Sequence, residues 1–150
     1  MNRYAYKRAD GSVGIMNIKA GASPEDFLPD GAVMMNQIDE TLNPLPDVQT
    51  KSSWVDDGLG NVIVDVSKVR EQKMSEIRAK RDEMLVKSDT MWIECTTKGA
   101  SSDVTDIEAD KVVLRDMAAS AQTALDALSD VEDIMNHDAF ASLTLNKAYE

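Results

Sequence analysis

Six charged side chains, Arg78, Arg81, Asp82, Asp89, Arg115 and Asp116, come nearest in type and spacing to a chemical site. Arg81 falls within an apolar helical stripe, where a guanidinium must be desolvated and is tolerated only beside a carboxylate. Asp89 and Asp116 are its expected partners. A guanidinium fork of this kind could clamp a carboxylate or phosphate ligand, which would make the chain a small anion-binding enzyme or regulator. The same residues could form a structural ion pair that sets the register of two helices. The structural reading is favoured, because catalysis would need a nucleophile or general base beside them and none accompanies them. No catalytic residue is assigned, and the chain is expected not to be an enzyme.

The remaining reactive groups point the same way. Asp56-Asp57-Gly58-Leu59-Gly60-Asn61 has the oxygens and glycines of a calcium loop, but it lacks the spaced ligand series and the terminal bidentate Glu, so a tight turn is expected. Cys95 stands alone in the chain and His137 is the one histidine, which leaves no disulfide and no zinc set. Cys95 follows Trp92 and Ile93 and reads as a small buried hydrophobe, whereas His137 beside Asp138 suits a cap or a surface position. No phosphate loop, nucleophile elbow, HExxH or CxxC spacing occurs, so no cofactor and no metal are expected.

Charge narrows the partners. The 150 residues carry 16 basic and 27 acidic groups, a net charge of −11. Nucleic-acid binding is disfavoured, since that affinity comes from clustered Lys and Arg. No apolar run reaches the roughly 18 residues of a membrane span, and Met1–Arg8 lacks a signal-peptide apolar core, which predicts no membrane contact and a cytosolic origin. The charge is also uneven: residues 68–87 hold 7 basic and 4 acidic groups, against 5 and 10 before them and 4 and 13 after them. A basic segment between acidic ones is expected to pack beside them.

These residues must be positioned by two kinds of element. Tyr4 and Tyr6 alternate with Arg3, Ala5 and Lys7, Asp10-Gly11 offers a hairpin turn, and Val13, Ile15, Met16 and Ile18 follow, which predicts a first hairpin. A third apolar run lies at Ala32–Met35. Trp54-Val55 and Val62-Ile63-Val64 flank the Asp56–Asn61 turn as a second hairpin. From Ser67, a candidate N-cap, the period changes: Arg70, Met74, Ile77, Arg81, Met84, Leu85 and Ser88 recur at helical spacing with no Gly or Pro through Lys87. Lys98–Ser102 breaks the chain. Ser102 or Asp103 then caps a second helix to about Leu128, whose stripe of Ile107, Leu114, Met117, Ala118, Ala121, Ala124, Leu125 and Leu128 predicts close helix approach in an antiparallel hairpin. Ser129 and Asp138 are candidate caps for a short third helix and a final turn. The expected fold is therefore α+β, with a small antiparallel β-rich domain over residues 1–66 and a helical hairpin with short C-terminal helices over residues 67–150.

Tyr4, Tyr6, Met34, Met35, Trp54 and Trp92 are candidates for partner contact, because aromatic and Met side chains dominate protein interfaces. They could equally cover the small sheet.

Four segments in order resemble small phage and prophage proteins encoded among tail genes, of the tail fibre assembly type. Arg3–Val13 resembles their first hairpin; Trp54–Gly58 with Val62–Lys68 resembles their second hairpin running into a helix. Arg78-Ala79-Lys80-Arg81-Asp82-Glu83-Met84-Leu85 followed by Asp89 matches their R-x-x-R-D-x-h-L-x-x-x-D helix, where h is apolar. Lys111–Asp116 matches a later Leu-Arg-Asp helix. The likeness covers about residues 1–120. Thr90 stands where those proteins usually have an aromatic, and Met117 where they have a proline, which lets the second helix continue. The resemblance implies a virion-associated minor structural component of the tail tip, baseplate or fibre attachment. It would act by protein contact in several symmetric copies, and would pass through the host cytoplasm during assembly. An assembly chaperone that leaves before the particle matures is the alternative.

Overall fold

In a computed structural model, residues 1–149 are described; Glu150, the end of the second expected domain, lies outside the described residues. The fold is α+β, an N-terminal antiparallel sheet followed by a long helix hairpin and a short C-terminal helix. The chain divides into two compact units, Met1–Val69 and the part from Arg70 onward.

In the first unit, β1 (Asn2–Lys7) and β2 (Val13–Ile18) pair antiparallel, with Tyr4 opposite Met16 and Tyr6 opposite Gly14. The Asp10 carboxylate helps to close the turn by accepting the Ser12 N–H at 2.9 Å. A third strand, β3 (Val33–Gln37), adds to the other edge of β1 in the order β2-β1-β3. Tyr6 faces Met34 and Tyr4 faces Gln37, so Met35 and Asn36 together oppose Ala5. This bulge sends Met35 into the core and frees Asn36 to bond elsewhere. The Asn36 backbone donates to Gly60 O at 2.9 Å, and its amide donates to Leu59 O and Asn61 Oδ1 at 3.0 and 2.8 Å.

Those acceptors belong to the turn between β4 (Trp54–Asp56) and β5 (Val62–Val64), a separate two-stranded sheet. Strands of three residues are weak alone, and they hold by contributing Trp54 and Val62 to a core with Ala5, Val13, Met35 and Ile38. Trp54 is 2% exposed, and its indole N–H donates to Thr50 Oγ1 at 3.2 Å. Met35 and Trp54 are thus core residues, not the partner contacts that their types suggested, because the bulge and the second hairpin turn both inward.

The helical pattern becomes α1 (Val66–Lys98), α2 (Ser101–Asp126) and α3 (Val131–Asn136). Aspartates set the helix starts where serines were expected. Asp65 accepts from Ser67 N and Lys68 N at 2.9 and 3.4 Å, which places Ser67 inside the helix. Asp130 does the same for Glu132 N and Asp133 N at 2.9 and 3.3 Å, leaving Ser129 outside. An aspartate carboxylate also complements the helix dipole. Neither Ser102 nor Asp103 caps α2, which follows Ala100 without a side-chain cap. The connection is too short for one: Gly99, at φ 72°, and Ala100 donate back to Thr96 O and Cys95 O, closing α1 before α2 begins.

Candidate interaction surface

Both units present surfaces on which aromatic, apolar and charged groups meet. In the sheet, residues directly opposite share a face, so Tyr4, Tyr6, Gly14, Met16 and Met34 lie on one side and Ala5 and Val13 on the other. The Ala5 side is core. On the opposite side Tyr4, Tyr6, Met16 and Met34 all remain half-buried. Tyr6 lies against Gly14 so closely that a Cβ there would meet its Cζ at 2.2 Å. Arg8 lies over the ring, with its guanidinium carbon 5.2 Å from the ring centroid, and donates to the phenol oxygen at 3.3 Å. Of the six candidate contacts, Tyr4, Tyr6 and Met34 therefore form one ordered face.

The second surface is built across α1 and α2. Lys111 pairs with Asp89 at 2.5 Å and lies 5.5 Å from the Trp92 ring centroid, while the Trp92 indole donates to Glu108 at 3.2 Å. Three residues forward on α1 match three back on α2, as antiparallel helices require. Asp89, Trp92, Glu108 and Lys111, with Ile93, Val112 and Arg115, line an open recess of about 660 Å³. Ile93 and Val112 are 60% and 53% exposed, so the recess presents apolar and charged side chains together.

The six predicted ion-pair residues do not converge. Arg81 donates to its neighbour Asp82 from Nε and from a terminal nitrogen, at 2.9 and 2.6 Å, and Asp82 is largely exposed. Asp89 belongs to Lys111, and Arg78, Arg115 and Asp116 are exposed. The antiparallel register explains this: the pairing of Asp89 with Lys111 puts Arg81 well down the hairpin from Asp89. Eight residues of helix separate those two by about 12 Å. A guanidinium with a carboxylate next in sequence needs no distant partner.

Part of the small-residue stripe also faces the C-terminal segment. Ser120, Ala121 and Ala124 line a recess of about 400 Å³ together with Ala139, Ser142 and Leu143, with no residue of α1 among its walls. Small side chains on α2 leave room for the C-terminal segment. The basic segment of α1 reaches that same end of the chain. Arg70 donates to Leu128 O, beyond the end of α2, and Lys73 donates to Met135 O at 2.8 Å. Lys80 lies 4.5 Å from the Phe140 ring centroid. Its cations thus meet helix-end carbonyls and an aromatic face.

The polar centre of this unit is one that pattern reading passed over. Asp110 is fully buried and accepts from Asn146 N, Asn146 Nδ2, Lys147 N and the Tyr149 hydroxyl at 2.7 to 3.0 Å. Burial, followed by the hydrogen bond to Asp110, pushes the Tyr149 phenol up from its ordinary value. Lys147 bonds Asp103 at 2.5 Å, which raises its pKa in turn. The available signal was Asp110 itself, three residues after Ile107 and four before Leu114, a charge standing in an apolar stripe.

The remaining groups occupy structural positions. Asp56 Oδ1 accepts from Gly58 N and Gly60 N, and Asp57 accepts from Leu59 N, Asn61 N and Asn61 Nδ2, which spends the oxygens of the calcium-like loop on its own backbone and side chains. Among the described residues no group of three or more His, Cys, Asp or Glu could hold a metal ion. Cys95 is only half-buried, because the end of α1 has one solvent-facing side. The His137 backbone N–H donates to Ile134 O at 3.3 Å at the end of α3, and Asp138 accepts from Phe140 N at 2.9 Å in the final turn. No protein-family model, curated protein or solved structure matches the chain.

Proposed function

We propose that this is a bacteriophage tail-associated protein, a minor structural component of the tail tip, baseplate or fibre attachment that works by protein contact and not by turnover. The observation that carries this reading is the Tyr4, Tyr6, Met16 and Met34 face of the small sheet, half-buried and held in place from Gly14 and Arg8. Aromatic rings fixed in one orientation contribute contact area at little entropic cost on binding. A face of this kind suits a larger, rigid protein partner. The resemblance of residues 3–13, 54–58, 62–68, 78–89 and 111–116 to tail-region proteins supports a tail, baseplate or fibre protein as that partner. Most of the charged groups described above are engaged in turns, caps and clasps, which favours adhesion over chemistry.

The test is protein composition of purified particles. A structural component is present in stoichiometric amount, and Tyr4→Ala with Tyr6→Ala removes it from particles while the free protein still folds. Absence of the wild-type chain from particles, with capture of fibre protein from infected cells, would instead establish the assembly chaperone.

A further inference from the structure

We infer that the protein self-associates as a two-fold dimer through the Trp92–Val112 face of the helix hairpin, two hairpins meeting as a four-helix bundle. The large apolar side chains that the described part of the helical unit exposes are Val86, Ile93 and Val112. Val86 and Ile93 are seven residues apart and so share a side of α1, and Ile93 and Val112 share the recess that spans α1 and α2. Scattered single exposures are ordinary, whereas concentration on one side of a two-helix layer marks an interface.

Charge selects a second copy as the occupant. The recess carries two acids, Asp89 and Glu108, and two bases, Lys111 and Arg115, and is neutral on a chain of net charge −11. The acidic stretches before and after residues 68–87 repel their like between two copies, and this neutral patch does not. A two-fold contact lays this patch on itself, so Arg115 of one copy can meet Glu108 of the other while the Asp89–Lys111 pair stays within each copy. Arg115 has no hydrogen-bond or ion-pair partner among the described residues, and is exposed, so it is available to the opposing copy. A strongly basic or acidic partner would find no net complement in this patch. The inference sharpens the expectation of several symmetric copies, but it rests on the surface and not on the tail assignment. A dimer absent from particles and a monomer present in them are both distinguishable results.

Sedimentation equilibrium of the purified full chain tests it. The wild type is expected to form a concentration-dependent dimer. Ile93→Glu with Val112→Glu should weaken that dimer by about a hundredfold or more, since charge replaces the apolar centre of the contact. Both positions are exposed, so helix content should hold, and the melting temperature should match that of the wild type at concentrations where it is monomeric. Arg115→Glu, a surface change that leaves Ile93 and Val112 intact, should weaken the dimer by about tenfold, and that loss should shrink at high salt. A wild-type chain that stays monomeric at every concentration would overturn the inference. So would a dimer whose affinity is unchanged in both variants.

Discussion

The two units differ in what occupies their buried centres. In the β-rich unit, aspartate carboxylates accept from backbone donors two to four residues away, as Asp10, Asp39, Asp47, Asp56 and Asp57 all do. In the helical unit Asp110 reaches 36 to 39 residues along the chain, and the cations Arg70 and Lys73 reach 58 and 62. Short strands turn often, so many of their carboxylates close nearby turns, while longer polar links such as Lys7 to Asp56 and Asn36 to Leu59 lie toward solvent and the buried centre is one apolar cluster around Trp54. Long helices satisfy their own backbone, so polar side chains are left to join distant segments. Apolar burial assembles the first unit, and a polar clasp completes the second.

Truncating the centre of each unit is the sharpest way to break that contrast. Trp54→Ala should cost about 4 kcal/mol through the cavity it leaves, read as a lower urea midpoint for β1–β5. Asp110→Ala should cost about 3 kcal/mol, because the Tyr149 hydroxyl and two backbone N–H groups lose a buried charged acceptor. Its signature is faster amide exchange over residues 138–149. A uniform loss of protection across the whole chain in either variant would sink the distinction. Gly14→Ala comes next, at about 2 kcal/mol for overpacking against Tyr6, with a change in the tyrosine near-UV signal. An unaltered signal would place the ring elsewhere. Arg81→Ala should cost about 1 kcal/mol or less, since its partner Asp82 is exposed. A loss of about 3 kcal/mol would restore the buried inter-helix pair that its place in the stripe first suggested.

Proton linkage should separate the units more gently. The hydrogen bond from Lys7, aided by the Gly58 and Gly60 N–H groups, holds the Asp56 carboxyl below its ordinary value of 3.8. Asp10, Asp39 and Asp57 are lowered as well. A lowered carboxyl stabilises the fold above the unfolded-state value, and that contribution disappears as pH falls below 3.8 toward the folded value. Tyr149 is shifted the other way, so its contribution is complete below 10.0 and is lost as pH rises beyond that. Unfolding followed through Trp54 in a Trp92→Phe variant should weaken in acid. The protection factors of residues 138–149, corrected for the base catalysis of amide exchange, should fall in alkali. Parallel pH profiles for the two probes would contradict this.

Much of the architecture was legible because its signals are short in range. Alternation at Tyr4 and Tyr6, the Asp10-Gly11 turn, the paired runs around Asp56–Asn61 and the Gly99 break each act within a few residues, and each produced its element. Period and composition can thus specify helices and strands, and can mark Arg81 and Asp110 alike as charges in apolar stripes. They carry no information about which distant group arrives opposite. Only the packed chain decided that Asp89 meets Lys111, that Arg81 turns to Asp82, that the bulge at Met35-Asn36 sends Met35 into the core, and that Ala121 and Ala124 line a recess with the C-terminal segment. Secondary structure follows from neighbours along the chain, whereas pairing across it depends on register and chain direction, which are set when all the elements pack at once.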